Sequence, residues 1–303
     1  MSEYHVPVLL DESVSALEIK KDGVYIDATF GGGGHSREIL NRLGPDGRLI
    51  SFDRDTDAIK NAPDDKRLIL VHNNFRFAEN FVKYNGFNGV DGILADLGVS
   101  SHQFDSGERG FSFRFDAPLD MRMNQKAQKN AAHIVNNYTQ EELTKIFKLY
   151  GEIDKPWRAA EFICKARAIA PIETTGQLSK AVEKMYNQQT EHKFLAKLYQ
   201  ALRIEVNMEM QALEDFLTGT LSVLKPGGRL SVITYHSLED RMVKNFMKTG
   251  NTGGEIKKDF YGKIECPFEI ITKKPIVPTE DEISSNTRSR SAKLRVAEKN
   301  YKN

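Results

Sequence analysis

Four successive glycines follow a short apolar run in Val24-Tyr-Ile-Asp-Ala-Thr-Phe-Gly-Gly-Gly-Gly-His-Ser36. Glycines at such a place let backbone N–H groups come close to a ligand where a helix begins, so the run predicts a seat for something flat or anionic. A loop chosen only for its turn geometry is the plainer alternative, and the strand pattern before it and helix pattern after it argue against that. The run is not the dinucleotide GxGxxG fingerprint, because counting from Gly31 places Ser36 where the third glycine is needed; this weighs against NAD or FAD. A second acid, Asp53, closes Ile50-Ser-Phe-Asp53, where a carboxylate can accept both ribose hydroxyls of an adenosine-type cofactor. Asp55 and Asp57 read as helix caps, and Asp27 as an orienter of the loop rather than a ligand.

The segment Gly92-Ile-Leu-Ala-Asp-Leu-Gly-Val-Ser-Ser-His-Gln103 ends another apolar run on a carboxylate, which predicts Asp96 at the carboxyl edge of a sheet beside the same crevice. An exocyclic amine that reacts as a nucleophile needs acceptors for its N–H groups, so that its lone pair turns toward the electrophile, and Asp96 is suited to that work. Capping a turn or touching the cofactor base are its competing roles. Tyr235, His236 and Ser237 end a later strand pattern at the opposite rim, where His236 is either a polar substrate contact or a satisfied structural histidine. Arg109, Arg114 and Arg122 interleave with Phe111, Phe113 and Phe115 in an aperiodic stretch, and cations beside aromatics suit phosphates and unstacked bases. Arg288, Arg290, Lys293 and Arg295 read as a basic tail, in contact with RNA or simply solvated.

The elements that must position these residues alternate through the first hundred positions. Strands are predicted at Val24–Ala28, Arg48–Phe52, Leu68–Val71 and Gly92–Leu97, with a helix over Ser36–Leu43 and another from Asp55 or Thr56 to Ala62. This is a βαβαβ mononucleotide-binding half. From about Phe104 to Gln200 the pattern is helical without a strand: Leu143, Ile146, Phe147 and Tyr150 share a face, as do Leu178, Val182, Met185 and Tyr186 behind a cap at Thr174 or Thr175. A helix through Leu213, Phe216, Leu217 and Leu221 then leads to Lys225-Pro-Gly-Gly228, which feeds a strand into Tyr235-His236. Ser237 with Asp240 forms a loose capping box for a helix through Met247; Phe268–Thr272 reads as a last strand, and Ile276–Ser291 as a loop.

Composition narrows the class. The chain has 303 residues, 40% hydrophobic and 28% charged, as in ordinary globular proteins and unlike disordered ones. Lys and Arg number 43 against 42 Asp and Glu, so affinity for nucleic acid has to come from a local patch and not from the net field. Cys164 and Cys266 are too few for a disulfide framework and lack companions at metal-ligand spacing; no metal centre is expected, and a reducing cytoplasm fits. Without a leader-like N-terminal segment or a run of ~18 apolar residues, a soluble, unprocessed chain with no membrane contact is expected.

Taken together, His5-Val-Pro-Val-Leu9, the Asp27–Ser36 loop, Asp96-Leu-Gly-Val-Ser-Ser101, Glu108-Arg-Gly-Phe-Ser-Phe113, Pro118-Leu-Asp-Met-Arg-Met123, Ala201-Leu-Arg-Ile-Glu-Val-Asn207, Lys225-Pro-Gly-Gly228, Tyr235-His-Ser-Leu-Glu-Asp-Arg241 and Ser289-Arg-Ser-Ala-Lys-Leu-Arg295 closely resemble the RsmH (MraW) family of small-subunit ribosomal RNA cytosine-N4 methyltransferases. The resemblance covers nearly the whole chain. It implies an α/β fold, a Rossmann-like class I methyltransferase sheet with an inserted all-helical subdomain, divided here into 1–103, 104–200 (substrate recognition) and 201–303. It implies S-adenosyl-L-methionine as cofactor, held by Gly33, Gly34, His35, Asp53, Phe75, Asp96 and Gln103, with Asp96 and His236 as the catalytic candidates. The implied substrate is a cytidine in the decoding region of 16S ribosomal RNA, in naked RNA or in the small ribosomal subunit. The RNA-contact candidates are then Arg109, Phe111, Phe113, Arg114, Arg122, Arg203, Asn207 and Arg290; monomer and homodimer both stay open. His102 stands where family members often have proline, and Asp96-Leu-Gly-Val replaces the Asn/Asp-Pro-Pro-aromatic motif of many amino methyltransferases.

Three other functions compete: a methyltransferase acting on DNA or protein, a non-catalytic ribosome-assembly factor with a nucleotide-binding fold, and a nicotinamide dehydrogenase. Ser36 and the late Lys-Pro-Gly-Gly turn disfavour the last.

Overall fold

The computed structural model describes residues 7–98, 107–258, 260–262 and 265–301. Packing divides the chain into two units, Met1–Gly98 with Gln211–Asn303, and Val99–Met210.

The first unit is built on seven strands: β1 (Val24–Asp27), β2 (Arg48–Asp53), β3 (Leu68–His72), β4 (Val90–Asp96), β5 (Leu224–Thr234), β6 (Phe268–Ile270) and β7 (Lys293–Lys299). Their order is β3-β2-β1-β4-β5-β7-β6. The first five are mutually parallel, and β7 runs antiparallel between β5 and β6. Both faces are covered, which is why the strands read as continuous apolar runs. Alternate side chains go to opposite faces: Tyr25, Leu49 and Leu94 pack with Val14, Leu17, Ile39 and Leu40, while Ile26, Ile50, Phe52 and Ile93 pack with Val82, Phe216, Leu217 and Phe246. Each such side chain, fully buried, contributes about 1.5–3 kcal/mol.

At the amino-terminal edge a buried carboxylate ties distant segments together. Asp91 accepts from Val24 N (3.1 Å), Lys20 Nζ (3.1 Å) and Lys225 Nζ (2.7 Å). The lysine of Lys-Pro-Gly-Gly is thus a clamp on β4, and that whole turn belongs to β5.

Three expectations are corrected here. The segment Ile276–Ser291 is not a plain loop: Thr279 accepts from Glu282 N and starts the helix Glu280–Ser285, and Thr287–Ser291 forms a 3-10 helix. The basic tail is not a tail beyond Arg290. Leu294 and Val296 are buried with Ile233 in the core, so Lys293–Lys299 is a strand, and its outward cations Lys293 and Arg295 meet Asp240 at 3.5 and 2.6 Å. The cap of the helix Ser237–Thr249 is His236 rather than Ser237, and its capping-box partner is Glu239 rather than Asp240.

The second unit is helical, with one isolated bridge, Pro118 to Thr174, outside helices among the described residues. Its core gathers Phe111, Leu119, Met121, Ile134, Leu143, Phe147, Ile163, Leu178 and Leu202. Thr139 with Glu142, and Thr174 with Gln177, close full capping boxes. The unit outruns the expected 104–200 span because the helix Glu191–Asn207 carries its core through Leu202 without a break. Asn207 then locks that helix to the chain before it, donating to Met121 O (2.8 Å) and accepting from Met123 N (2.8 Å).

Candidate active site

The sheet order reverses direction between β1 and β4, and at such a switch point the loops beyond the two strands part to leave a crevice at their carboxyl ends. The glycine run leaves β1 there. Gly31 and Gly33 adopt φ of +51° and +76°, and Gly33 precedes the helix Gly34–Arg42. Two of these glycines are packing requirements: a Cβ on Gly33 would lie 2.7 Å from Phe30 Cζ, and one on Gly34 would lie 2.0 Å from Pro7 Cγ. At Gly31 the nearest atom to such a Cβ is 3.9 Å away, so the bend is open on that side. A flat or anionic group can sit there against backbone N–H groups.

Beneath the bend lies a closed polar chain. Ser36 Oγ donates to Asp27 Oδ2 (2.6 Å) and meets Ser51 Oγ at 2.8 Å, while Thr29 N donates to Asp27 Oδ1 (3.1 Å). Asp27 is fully buried, and burial raises its pKa to about 6 against the opposing pull of Ser36 and Thr29. Every acceptor position of Asp27 points into protein, which makes it the loop's anchor.

Asp53 closes β2 as expected. Its Oδ2 accepts from Gly31 N and its Oδ1 from Asp55 N, both at 2.8 Å, so the acid and the glycine bend are one construction. Arg54 N adds a third backbone donor to this carboxylate, and the accepting capacity that remains can serve a ribose hydroxyl. Burial pushes this carboxyl's pKa up, opposed by those backbone N–H groups. Phe75 opens a 3-10 turn after β3; its edge meets Phe216 at 5.1 Å and 74°, and the ring stays half-buried, able to offer a face to a purine.

Asp96 ends β4. Its backbone N donates to Thr29 Oγ1 (2.7 Å), and its Oδ1 accepts from the Tyr235 hydroxyl (2.7 Å). The side chain keeps 23% of its surface open, yet burial around the carboxyl raises its pKa to about 6, against the pull of His35 and Tyr235. His35 is buried, and its Nε2 lies 3.2 Å from Val8 O; a carbonyl only accepts, so Nε2 carries the proton. Burial lowers the pKa of His35, against the charge of Asp96 and the Val8 carbonyl. Its Nδ1 and Asp96 Oδ2 stand 3.9 Å apart, beyond hydrogen-bonding distance. Gln103 lies outside the described residues.

His236 is committed to its own helix. Glu239 N donates to His236 Nδ1 (3.4 Å), and Glu239 Oε2 accepts from Tyr235 N (2.9 Å). The second ring nitrogen, Nε2, is 3.1 Å from Glu239 Oε1 but off hydrogen-bonding angles, so it keeps a buried polar atom unsatisfied.

In the helical unit most of the RNA-contact candidates turn out to hold the fold. Phe111 is core, 4% exposed, because the helices close over it. Arg109 donates to Arg122 O (2.7 Å) and lies over the Phe111 ring; Arg122 grips Asp120 with two nitrogens at 2.6 and 2.8 Å. Arg203 makes a bidentate pair with Glu209, both contacts at 3.0 Å, and Asn207 is the buried lock described above. Phe113 is half-buried against Tyr199 and His192. Arg114 remains exposed beside Phe115, which is 56% exposed; in the first unit Arg290 is exposed on its 3-10 helix. The partners missed at sequence level are Tyr235 for Asp96, Glu239 for His236 and Val8 for His35. The signal was available in the first case: two strand patterns, Asp96-Leu-Gly and Tyr235-His-Ser, end on polar residues and prove to be neighbours in the sheet.

The switch-point crevice, the glycine bend after β1 and the acid at the end of β2 define a class I S-adenosylmethionine-dependent methyltransferase. The chain belongs to the MraW methylase family, which matches residues 2–300. It is 57% identical to the ribosomal RNA small subunit methyltransferase H of Parabacteroides distasonis over 297 residues, 98% of this chain and 97% of that protein. The protein of the same name from Flavobacterium johnsoniae is 55% identical over 297 residues, covering 98% of each chain. S-adenosylmethionine is the methyl donor of this family, and the open bend, the doubly held ribose acid and the half-exposed Phe75 fit it.

Proposed function

We propose that this protein methylates the exocyclic N4 of a cytidine in the decoding region of 16S ribosomal RNA. The observation that carries the reading is Asp96: an acceptor at the carboxyl end of β4, with Oδ1 held by the Tyr235 hydroxyl and Oδ2 without a hydrogen bond among the described residues. The names of the relatives, which share more than half of their residues with this chain, supply the RNA.

In this reading Gly33, Gly34 and His35 seat the methionine end of the cofactor, Asp53 takes the ribose hydroxyls, Phe75 faces the adenine, and Gln103 completes the set. Bound S-adenosylmethionine supplies a sulfonium methyl; transfer breaks its C–S bond, forms the N–C bond, and releases S-adenosylhomocysteine and one proton. Asp96 accepts an amino N–H and turns the nitrogen lone pair toward the methyl. His236 acts at the rim through the helix it caps. Arg114 and Phe113 in the helical unit contact the RNA, where Arg109, Phe111, Arg122, Arg203 and Asn207 hold that unit's fold, and Arg290 in the first unit contacts it separately. No described helix is long and apolar enough to cross a membrane, and the cytoplasm is the proposed compartment.

Undermethylated small subunits, naked 16S RNA, duplex DNA and a protein extract, each incubated with methyl-labelled cofactor, separate the substrates. Label on one cytidine of the RNA is expected. Label confined to DNA or protein, or none despite cofactor binding, overturns the proposal.

A further inference from the structure

We propose that Tyr235 is a positioning residue for Asp96, its hydroxyl holding one carboxylate oxygen so that the carboxyl is fixed in orientation and the other oxygen is presented to the amino group. The inference rests on Asp96 being the acceptor proposed above. Its support is geometric. The Tyr235 hydroxyl donates to Asp96 Oδ1 at 2.7 Å, the main chain of Asp96 is pinned by Thr29 Oγ1 at 2.7 Å, and Leu97 N donates to Ile233 O at 2.9 Å. The tyrosine is itself held: its N donates to Glu239 Oε2 at 2.9 Å. Gly98, at φ +113°, passes the ring so closely that a Cβ there would lie 3.1 Å from Tyr235 Cδ2. The glycine of Asp96-Leu-Gly98 therefore makes room for the Tyr235 ring, which arrives from the residue that follows β5.

The groups facing the Asp96 carboxyl are His35 from the helix Gly34–Arg42, Asp27 from β1, Glu239 from the helix Ser237–Thr249, and Tyr235. Asp27 and Glu239 are acids. His35 meets Val8 O through Nε2 at 3.2 Å, and its Nδ1, 3.9 Å from Oδ2, is too far to donate a hydrogen bond. Among the described residues Tyr235 is thus the side chain that donates to this carboxyl. Burial, followed by the charge of Asp96, raises the tyrosine's own pKa well above the ordinary phenol range, so the hydroxyl keeps its proton at every working pH. Removing the donor leaves only His35 to oppose burial and the two acids, and the carboxyl holds its proton to higher pH.

The test is Tyr235→Phe, which keeps the ring and removes the hydroxyl. Three outcomes are expected: kcat falls about 10- to 100-fold, as for a misplaced reacting group; the acid limb of the kcat–pH profile moves up by about one unit; and affinity for S-adenosylhomocysteine stays within about threefold. In an Asp96→Asn background the same change has little further effect on kcat. An equal fall in both backgrounds, or an unmoved acid limb, overturns the inference. Infrared difference titration of the Asp96 carboxylic band, assigned with Asp96→Asn, reads the coupling without turnover. A band that titrates alike in wild type and Tyr235→Phe also overturns it, whereas a shifted band in a wild type that methylates no RNA overturns only the proposed substrate.

Discussion

Replacing Asp27 by asparagine separates what the buried carboxyl does for the fold from what its charge costs. Asp27 titrates near 6 in the folded chain against 3.8 when free, a difference of ~2 units or about 3 kcal/mol. Below 3.8 the carboxyl is protonated in both states and has no effect. As pH rises from there to about 6, the unfolded chain releases the proton first, the folded chain binds more protons, and stability falls; above that window the whole penalty is present. Asparagine mimics the neutral form. Its oxygen can still accept from Thr29 N, and its amide can donate to Ser36 Oγ, whose hydroxyl turns to Ser51 2.8 Å away. Urea unfolding of both proteins at pH 7.5 and pH 5 is the assay. Asp27→Asn is expected to be more stable by about 3 kcal/mol at the higher pH and by about half that at the lower, where the wild type has escaped part of its penalty. Asp96 is shifted in the same direction, in part by the charge of Asp27, so Asp27→Asn also relieves that repulsion and adds to the gain at pH 7.5. A variant less stable than wild type at pH 7.5, or a difference independent of pH, refutes the reasoning: the charge would then be holding the glycine bend more strongly than burial opposes it.

Asp53→Ala removes the proposed ribose acceptor together with the tie to Gly31; one or two charge-assisted hydrogen bonds correspond to roughly 10- to 10,000-fold weaker binding of S-adenosylhomocysteine by calorimetry. An affinity within about threefold of wild type contradicts the assigned ribose role. Asn207→Ala strands the buried Met123 N–H and Met121 C=O, and is expected to lower the stability of the helical unit by about 2–4 kcal/mol in a denaturant midpoint. A loss under about 0.5 kcal/mol, together with weakened RNA binding, returns Asn207 to the RNA surface.

Much of the first unit was legible because its signals are local. Apolar runs ending in Gly or Asp mark parallel strands wherever they occur, and all four early strands lie within two residues of their predicted bounds. A glycine bend, Asp53 and Asp96 at strand ends follow from those runs, since chain direction in a parallel sheet puts every such end on one rim. The strand Lys293–Lys299 was hidden because its outward residues are cations that read as a solvated tail, and only its place between β5 and β6 reveals the alternation of Leu294 and Val296.

The residue types and their order along the chain were therefore enough to name the chemistry: a nucleoside cofactor over four glycines and an acid poised at a strand end. Tertiary structure alone decided which polar groups remain available. Arg109, Arg122 and Arg203 look alike on paper to Arg114, but a side chain's hydrogen-bonding capacity is finite, and in the folded chain Arg122 O, Asp120 and Glu209 engage theirs while Arg114 stays exposed.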